Sequence, residues 1–243
     1  MSKIVVVLPA YNAELTLKET LSEIPEGLAD EVILVDDASA DNTVELARSL
    51  GLNVIVHPRN RGYGGNQKTC YNEALRLDAD IVVMLHPDLQ YHPKYLTELV
   101  KPLIEGSADA SFGSRMIERK NALEGGMPLY KFVANILLTG FENLCLGARF
   151  TEYHSGLRAY TREFLEAVNY NQNSDGFIFD NEIIIQGLHK EFKIHEISIR
   201  ARYFDEASSI GLVPSILYGL RILKRIASYK FHQWGIRKSS RYS

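Results

Sequence analysis

The stretch HPDLQ, residues 86–90, follows the apolar run DIVVML and places three polar side chains at alternate positions. If the backbone stays extended, His86, Asp88 and Gln90 point to one side, because alternate side chains of a strand share a face. An imidazole nitrogen with carboxylate and amide oxygens can bind Mn²⁺ or Mg²⁺, with a diphosphate and water completing the coordination. In the structural alternative, Asp88 is a turn residue after Pro87 and His86 is a hydrogen-bonded core histidine.

Two other polar clusters also follow apolar runs. KIVVVLP leads into PAYN, residues 9–12, and EVILVDD ends on Asp36 and Asp37. A carboxylate at the end of a buried strand must meet water, a donor or a ligand, because burying it alone is costly. The two acids can therefore accept hydrogen bonds from a nucleotide base or ribose, or cap the helix that follows.

A glycine-rich segment, RNRGYGGNQK, spans residues 59–68 and ends on Lys68. A flexible loop before a helix, with basic side chains nearby, can bind phosphate through backbone amides. The glycine order matches neither the P-loop nor the dinucleotide-binding fingerprint, which disfavours both of those functions.

The apolar runs define the elements that position these clusters. KIVVVLP, EVILVDD, NVIVHP and DIVVML are short and rich in Val and Ile, which is typical of buried parallel strands. Helical patterns between them predict a single α/β domain with a mainly parallel sheet and helices on both faces. Ligands bind beyond the carboxyl ends of such strands, so the three clusters are expected to form one site.

Further helices and a strand are predicted outside this core. DNTVELARSLG predicts a helix with Asn42 as its N-cap and Glu45 completing a capping box. A long helix is expected from Pro128 to about Leu146, and another near DNEIIIQGLHK. FKIHEISIRARY predicts a last strand.

The composition restricts the class of protein. The chain has 243 residues and a formal net charge of −3, which argues against a protein that coats nucleic acid. Two distant cysteines favour reduced thiols and a cytoplasmic location. The N-terminus lacks the pattern of a secretory signal, and the longest apolar segment, FVANILLTGF, is too short to span a bilayer.

The C-terminal tail is basic: residues 207–243 contain no Asp or Glu. We predict a catalytic domain over residues 1–206 and an amphipathic helical tail over 207–243. Its basic side has helical spacing, with an apolar side opposite, formed by Ile216, Leu220, Leu223 and Ala227. The helix either packs on the core with its basic side in water, or rests on anionic lipid headgroups as a peripheral membrane contact.

Taken in order, PAYN, VILVDDASADNT, GYGGN, HPDLQYHP, GSR and SGLRAY resemble family 2 glycosyltransferases of the GT-A fold. The resemblance is greatest to the branch of dolichyl- and polyprenyl-phosphate sugar synthases, and it covers roughly residues 3 to 205. It implies a GT-A sheet, a nucleotide-sugar donor and a Mn²⁺ or Mg²⁺ cofactor.

The resemblance also implies roles for individual residues. Asp88 and Gln90 match metal and diphosphate contacts, while His86 replaces an aspartate, which removes a negative charge and favours Mn²⁺ over Mg²⁺. Arg202 becomes a candidate contact for the leaving group or a lipid phosphate. Positions that enclose the nucleotide are matched by Pro9, Tyr11, Asn12, Asp36 and Asp37, and positions near an acceptor phosphate by Arg115, Ser155 and Arg158.

The expected reaction is transfer of a sugar with inversion, either to a lipid phosphate or to a saccharide hydroxyl. A phosphate is already anionic and needs no strong base, whereas a hydroxyl requires one, for which Asp180 is the first candidate and Glu182 the second. A binding module without catalysis is the alternative that His86 leaves open. A nucleotidyltransferase should carry a strongly basic, glycine-rich loop directly after its first strand. This chain has PAYNAELT there, which disfavours that function. The sugar, the nucleotide base and any homo-oligomer are left open.

Overall fold

The computed structural model describes residues 2–203 and 211–242 and contains one seven-stranded sheet with the strand order β3-β2-β1-β4-β6-β5-β7. All pairs are parallel except those of β6, which runs antiparallel to β4 and to β5. The fold is therefore a mixed, mainly parallel α/β sheet, as predicted. The strands are β1 (Ile4–Ala10), β2 (Glu31–Asp36), β3 (Asn53–Val56), β4 (Ile81–Met84), β5 (Ala110–Ser114), β6 (Arg158–Thr161) and β7 (Ile194–Ser198).

Helices flank the sheet on both faces. Alternate residues of β1 point into different clusters: Val6 and Leu8 join one core, and Val5 and Val7 join the other. This two-sided burial explains why the strands read as continuous apolar runs. The helices are α1 (Leu17–Ser22), α2 (Thr43–Ser49), α3 (Tyr63–Arg76), α4 (Leu96–Ile104), α5 (Arg119–Glu124), α6 (Leu129–Leu146), α7 (Arg162–Ala167), α8 (Phe179–His189) and α9 (Leu212–Gln233).

The predicted capping box of α2 is wrong. Asn42 does precede the helix, but its side chain makes no capping bond and its Nδ2 donates to Oε1 of Glu14 at 2.9 Å. Oδ1 of Asp41 instead accepts from the backbone amide of Thr43 at 3.0 Å. The Asn42 side chain therefore binds Glu14 of a different loop and does not cap α2.

Helix α9 packs on the domain through a third side that the sequence analysis did not single out. Ile222, Ile226 and Tyr229 are buried in a cluster with α8, whereas Ile216 and Leu220 are each 56% exposed. The predicted apolar side is thus not the side that meets the core. The predicted domain boundary at 206/207 lies outside the described residues. No helix of the described residues is long and apolar enough to cross a membrane.

Candidate active site

Two clefts lie beyond the carboxyl ends of β1 and β4, and they share His86 and Asp88. The smaller cleft is lined by the loop after β1, including Pro9, Tyr11 and Asn12. The larger one has about 1050 Å³ of empty space, including its open mouth, and runs toward α6 and α9. The segment HPDLQ therefore forms the junction of two binding spaces.

The turn within HPDLQ is not extended. Leu89 has a φ of 58°, in the left-handed region, and Oδ1 of Asp88 accepts from the backbone amide of Gln90 at 3.0 Å. The backbone is therefore not extended after Asp88, and extended geometry does not place Gln90 on the same side as His86 and Asp88. His86, Asp88 and Gln90 nevertheless all line the larger cleft, because the turn folds the chain back on itself.

His86 lies against the aromatic ring of Tyr63. The two rings stack with centroids 5.3 Å apart, and Nε2 of His86 is 3.2 Å from the Tyr63 hydroxyl. Burial lowers the pKa of His86, with the negative charges of Asp88 and Asp180 opposing the shift. A neutral imidazole is the form that binds a metal ion or accepts a hydrogen bond.

The donor set at this junction fits a divalent ion that also binds a diphosphate. Asp88 and Gln90 offer hard oxygen donors, which suit Mg²⁺ and Mn²⁺. Within residues 2–203 and 211–242, however, no group of three or more His, Cys, Asp and Glu side chains could hold a metal ion. A metal here would therefore need oxygens from the donor itself.

Asp180, which lines the larger cleft, is connected to Tyr63 in the cleft and to Arg158 beneath it. Its Oδ2 accepts from the Tyr63 hydroxyl at 2.6 Å, and its Oδ1 lies 3.9 Å from Nε of Arg158. Arg158 is fully buried and donates to backbone oxygens of Tyr153, Ser155 and Asp180. Burial alone would lower the pKa of Arg158, but Asp180 and two tyrosines raise it above its usual value. Arg158 thus stays charged and organises the backbone beneath the cleft.

A second buried pair, Arg115 with Glu152, lies farther along the larger cleft. Nε of Arg115 donates to Oε1 of Glu152 at 2.9 Å, and Nη1 donates to the Tyr203 hydroxyl at 2.7 Å. Burial would raise the pKa of Glu152, but the charge and hydrogen bonds of Arg115 lower it. Lys131 lines the same cleft, and burial together with the charge of Arg115 lowers its pKa. Glu152 compensates the charge of Arg115, so an anion in this cleft would pair with Lys131 and share Arg115 with Glu152.

Other predicted site residues are engaged within the protein. The Asp37 carboxylate accepts from the backbone amides of Arg61 and Gly62 at 2.8 and 2.9 Å, and lies 2.8 Å from Nδ1 of His57. Asp36 accepts from the amide of Ser39 at 2.9 Å. Neither acid lines the two clefts described above.

Lys68 also makes contacts away from these clefts. Its Nζ donates to Oδ1 of Asp175 at 2.7 Å and to the backbone oxygen of Asn173. Through these bonds it ties α3 to the segment before α8. The side chain predicted to contact phosphate thus has a structural partner.

Ser155 and Arg202 frame the larger cleft without lining it. The Ser155 hydroxyl is buried and donates to the backbone oxygen of Gly113. The Arg202 amide donates to the backbone oxygen of Gln90 at 3.0 Å, and the residue is exposed. Residues 204–210, which follow shortly after, lie outside the described residues.

The sequence analysis missed several residues that line the larger cleft. Tyr63 was within the quoted GYGGN motif but received no role, although a lone aromatic in a glycine-rich loop is a recognisable signal. Lys131, which directly precedes the apolar segment FVANILLTGF, received no role. His154 precedes Ser155 in HSGLR, and its ring lines the cleft beside Tyr218 of α9. No local pattern indicates that α6 and α9 reach this site.

A mainly parallel sheet with paired clefts at its carboxyl edge defines a GT-A-like α/β enzyme. The chain belongs to glycosyl transferase family 2, whose model matches residues 5–168. It is thus a glycosyltransferase, and the resemblance to the dolichyl- and polyprenyl-phosphate branch is confirmed.

Individual relatives agree with this assignment. The chain is 28% identical to a UDP-N-acetylglucosamine–dolichyl-phosphate N-acetylglucosaminyltransferase of Methanococcus voltae, covering 93% of this chain and 96% of that protein. It is 25% identical to a polyprenol monophosphomannose synthase of Mycolicibacterium smegmatis, over 96% and 86% of the two chains.

A solved structure shares the fold. Glucosyl-3-phosphoglycerate synthase of Mycobacterium tuberculosis, crystallised with Mn²⁺, uridine diphosphate and phosphoglyceric acid, superposes with a TM-score of 0.71. The identity is 22%, and the match covers 94% of this chain and 78% of the other.

Proposed function

We propose that this enzyme transfers a sugar, with inversion, from a UDP- or GDP-sugar to a polyprenyl or dolichyl phosphate, using Mn²⁺ or Mg²⁺. The observation that carries the proposal is the meeting of two clefts at His86 and Asp88. The smaller cleft would hold the nucleotide and the larger one the acceptor. The reacting centre then lies at their junction, where donor and acceptor can be held in attacking geometry.

The cations of the larger cleft support an anionic acceptor. Arg115 and Lys131 both line it, and the pKa of Lys131 is lowered partly by Arg115. An acceptor phosphate would relieve this repulsion by pairing with both groups. Apolar neighbours, including Met127, Leu138 and Phe177, fit the first isoprene units of a lipid. The names of two relatives include dolichyl phosphate or polyprenol monophosphomannose, which agrees with this acceptor.

Asp180 is less suited to act as a base for a hydroxyl acceptor. Its Oδ2 already accepts the proton of Tyr63, and its Oδ1 faces Arg158. An acceptor hydroxyl would therefore have to displace the Tyr63 hydroxyl from Oδ2 before it could donate to that oxygen. A phosphate nucleophile needs no proton removal, so Asp180 would serve to hold Tyr63 and Arg158 in place.

At the donor, Asp88 and Gln90 would hold the metal ion together with the diphosphate, and His86 would lie beside them. The bound metal would offset the negative charge that develops on the leaving diphosphate. Pro9, Tyr11 and Asn12 would line the nucleotide. We assign Asp37 a positioning role, because its carboxylate fixes the loop amides of Arg61 and Gly62.

The remaining predicted contacts are kept as parts of this proposal. Ser155 and Arg158 would shape the backbone below the acceptor phosphate. Arg202 would approach the diphosphate or the lipid phosphate from the rim, since its backbone is fixed to Gln90. Lys68 and Asp36 would act through the loops that they hold.

The test measures release of the nucleoside diphosphate by purified protein with Mn²⁺ or Mg²⁺ and a panel of UDP- and GDP-sugars. Each donor is combined with a short-chain polyprenyl phosphate in detergent, with 3-phosphoglycerate, or with a saccharide. Release that rises with the prenyl phosphate, and is lost in Asp88→Asn and on chelation of the metal, supports the proposal.

Product analysis and one variant discriminate between acceptors. Asp180→Asn should largely spare transfer to a phosphate but abolish transfer to a hydroxyl. Transfer to the saccharide alone, lost in Asp180→Asn, would replace the lipid-phosphate proposal with a saccharide acceptor. Donor binding without any turnover would point to a binding module.

A further inference from the structure

Helix α6 has an inverted distribution of polarity. Its polar side chains Asn135, Thr139 and Glu142 are buried, whereas Leu137 is 68% and Leu144 is 83% exposed. The exposed residues recur at helical spacing along one face, opposite the buried polar ones. They are Leu129, Tyr130, Val133, Leu137, Phe141 and Leu144.

Helix α9 extends this surface. It packs against α6, where a Cβ added at Gly219 would lie 3.8 Å from Leu138. Its outward side carries Ile216, Leu220 and Leu223, all at least 40% exposed. We call these exposed apolar side chains of α6 and α9 together the apolar face. Many exposed apolar side chains on two helices that pack together mark an interaction site in a folded protein.

Positive charge accompanies the apolar face. Residues 125–151 contain one acid, Glu142, which is fully buried, and residues 211–242 contain none. Arg221 and Lys224 are exposed on α9, on the side next to its apolar residues. Further cations of the two segments are Lys131, Arg149, Arg225, Lys230, Arg237, Lys238 and Arg241.

We propose that the apolar face is a docking surface for an anionic lipid bilayer. Burying the leucines in the headgroup and acyl boundary would remove them from water, and the flanking cations would meet anionic headgroups. A second copy of the chain fits less well, because a two-fold contact through this face would oppose the same cations without acids between them.

The larger cleft is lined by the same two helices that carry the apolar face. Lys131, Ala134, Asn135 and Leu138 of α6 line it, as do Ser215 and Tyr218 of α9. Docking would therefore place the cleft next to the bilayer, so that a lipid could enter with its chain still in the membrane. This step rests on the proposed function. The docking surface itself rests on the exposed leucines and the cations.

The test is flotation of the full chain with vesicles, in the absence of donor and acceptor. Vesicles of phosphatidylcholine alone are compared with vesicles containing phosphatidylglycerol. We expect binding that is stronger on the anionic vesicles and weakens with salt. The triple variant Val133→Ser, Leu137→Ser, Leu144→Ser should bind at least about tenfold more weakly, because three apolar side chains are lost from the buried area.

Matched variants separate apolar from charge effects. The double variant Arg221→Gln, Lys224→Gln should lose the additional binding that phosphatidylglycerol provides. Its binding to vesicles of phosphatidylcholine alone should stay unchanged. Ile104→Ser, on α4 and 54% exposed, removes an exposed apolar residue outside the apolar face and should bind as the wild type does. Circular dichroism and thermal unfolding check that each variant is folded.

Three outcomes would overturn the proposal. The wild-type protein does not float with either vesicle, or the triple variant floats equally well. The third is a dimer, seen by analytical ultracentrifugation, that dissociates in the triple variant while neither protein binds vesicles. Transfer to a short-chain prenyl phosphate in detergent is measured separately, so failure of docking and failure of the proposed function are distinguishable.

Discussion

The Tyr63 hydroxyl donates a 2.6 Å hydrogen bond to Oδ2 of Asp180, although the two residues are 117 positions apart in the chain. The same hydroxyl lies 3.2 Å from Nε2 of His86. Tyr63 thus connects the start of α3, the start of α8 and the end of β4 at the junction of the two clefts. Burial and the nearby Asp180 carboxylate raise the pKa of Tyr63 well above its usual value, so the hydroxyl keeps its proton.

Removing this hydroxyl should affect both stability and activity. Tyr63→Phe leaves the buried Asp180 carboxylate without its donor, which should lower the free energy of unfolding by about 1–3 kcal/mol. We expect kcat to fall more than the donor KM rises, since His86 and Asp180 lose their common partner. Urea unfolding and steady-state kinetics measure the two effects. Tyr130→Phe, on an exposed tyrosine, should change neither; equal losses in both variants would contradict the assigned role.

A side chain at Gly156 should press on the His86 ring, which packs against this glycine. A Cβ at Gly156 would lie 3.1 Å from Cδ2 and 3.2 Å from Nε2 of His86. Gly156→Ala should therefore displace the imidazole and raise the metal concentration needed for half-maximal activity. The control is Gly140→Ala in α6, where nothing lies within 4 Å of the added Cβ. That variant should gain about 0.5–1 kcal/mol of stability from the higher helix propensity of alanine. Unchanged metal activation in Gly156→Ala would argue against His86 lying at the metal.

The pair Arg115–Glu152 should make stability depend on pH. The folded pKa of Glu152 lies below its unfolded value of 4.5, so its contribution is complete at neutral pH and is lost as the pH falls below 4.5. Glu152→Gln should lower the free energy of unfolding by about 3–5 kcal/mol at pH 7, because Arg115 stays buried without its partner. The difference from wild type should shrink in acid, as measured by chemical unfolding across pH. Glu124→Gln, which breaks the exposed Lys120–Glu124 pair, should cost less than about 1 kcal/mol at any pH.

Lys131 should affect the KM for the acceptor and not the KM for the donor. If a phosphate pairs with Arg115 and Lys131, Lys131→Gln removes one charge-assisted contact and should raise the KM for polyprenyl phosphate about tenfold. The KM for the nucleotide-sugar should stay within about twofold, because Lys131 does not line the smaller cleft. Lys120→Gln, at an exposed lysine of α5, is the matched control. A rise in the donor KM alone would move Lys131 out of the acceptor site.

The sequence by itself determined the elements of the catalytic sheet and the site at its edge. Short Val- and Ile-rich runs define β1, β2 and β4 because a strand buried on both faces must be apolar throughout. Parallel pairing then brings the ends of β1 and β4 together, and HPDLQ indeed lies at the junction of two clefts. The ordered motifs were enough to identify the family.

Only the tertiary structure decided which sides of α6 and α9 are buried. Periodicity reveals that α6 has a polar and an apolar side, but burial depends on the partners that other segments supply. Asn181 donates to Glu142, and Asn135 donates to Oε1 of Glu152 at 2.7 Å, so both polar side chains of α6 have partners inside the protein. Because those partners are distant in the chain, no local pattern could predict that the leucines would face outward.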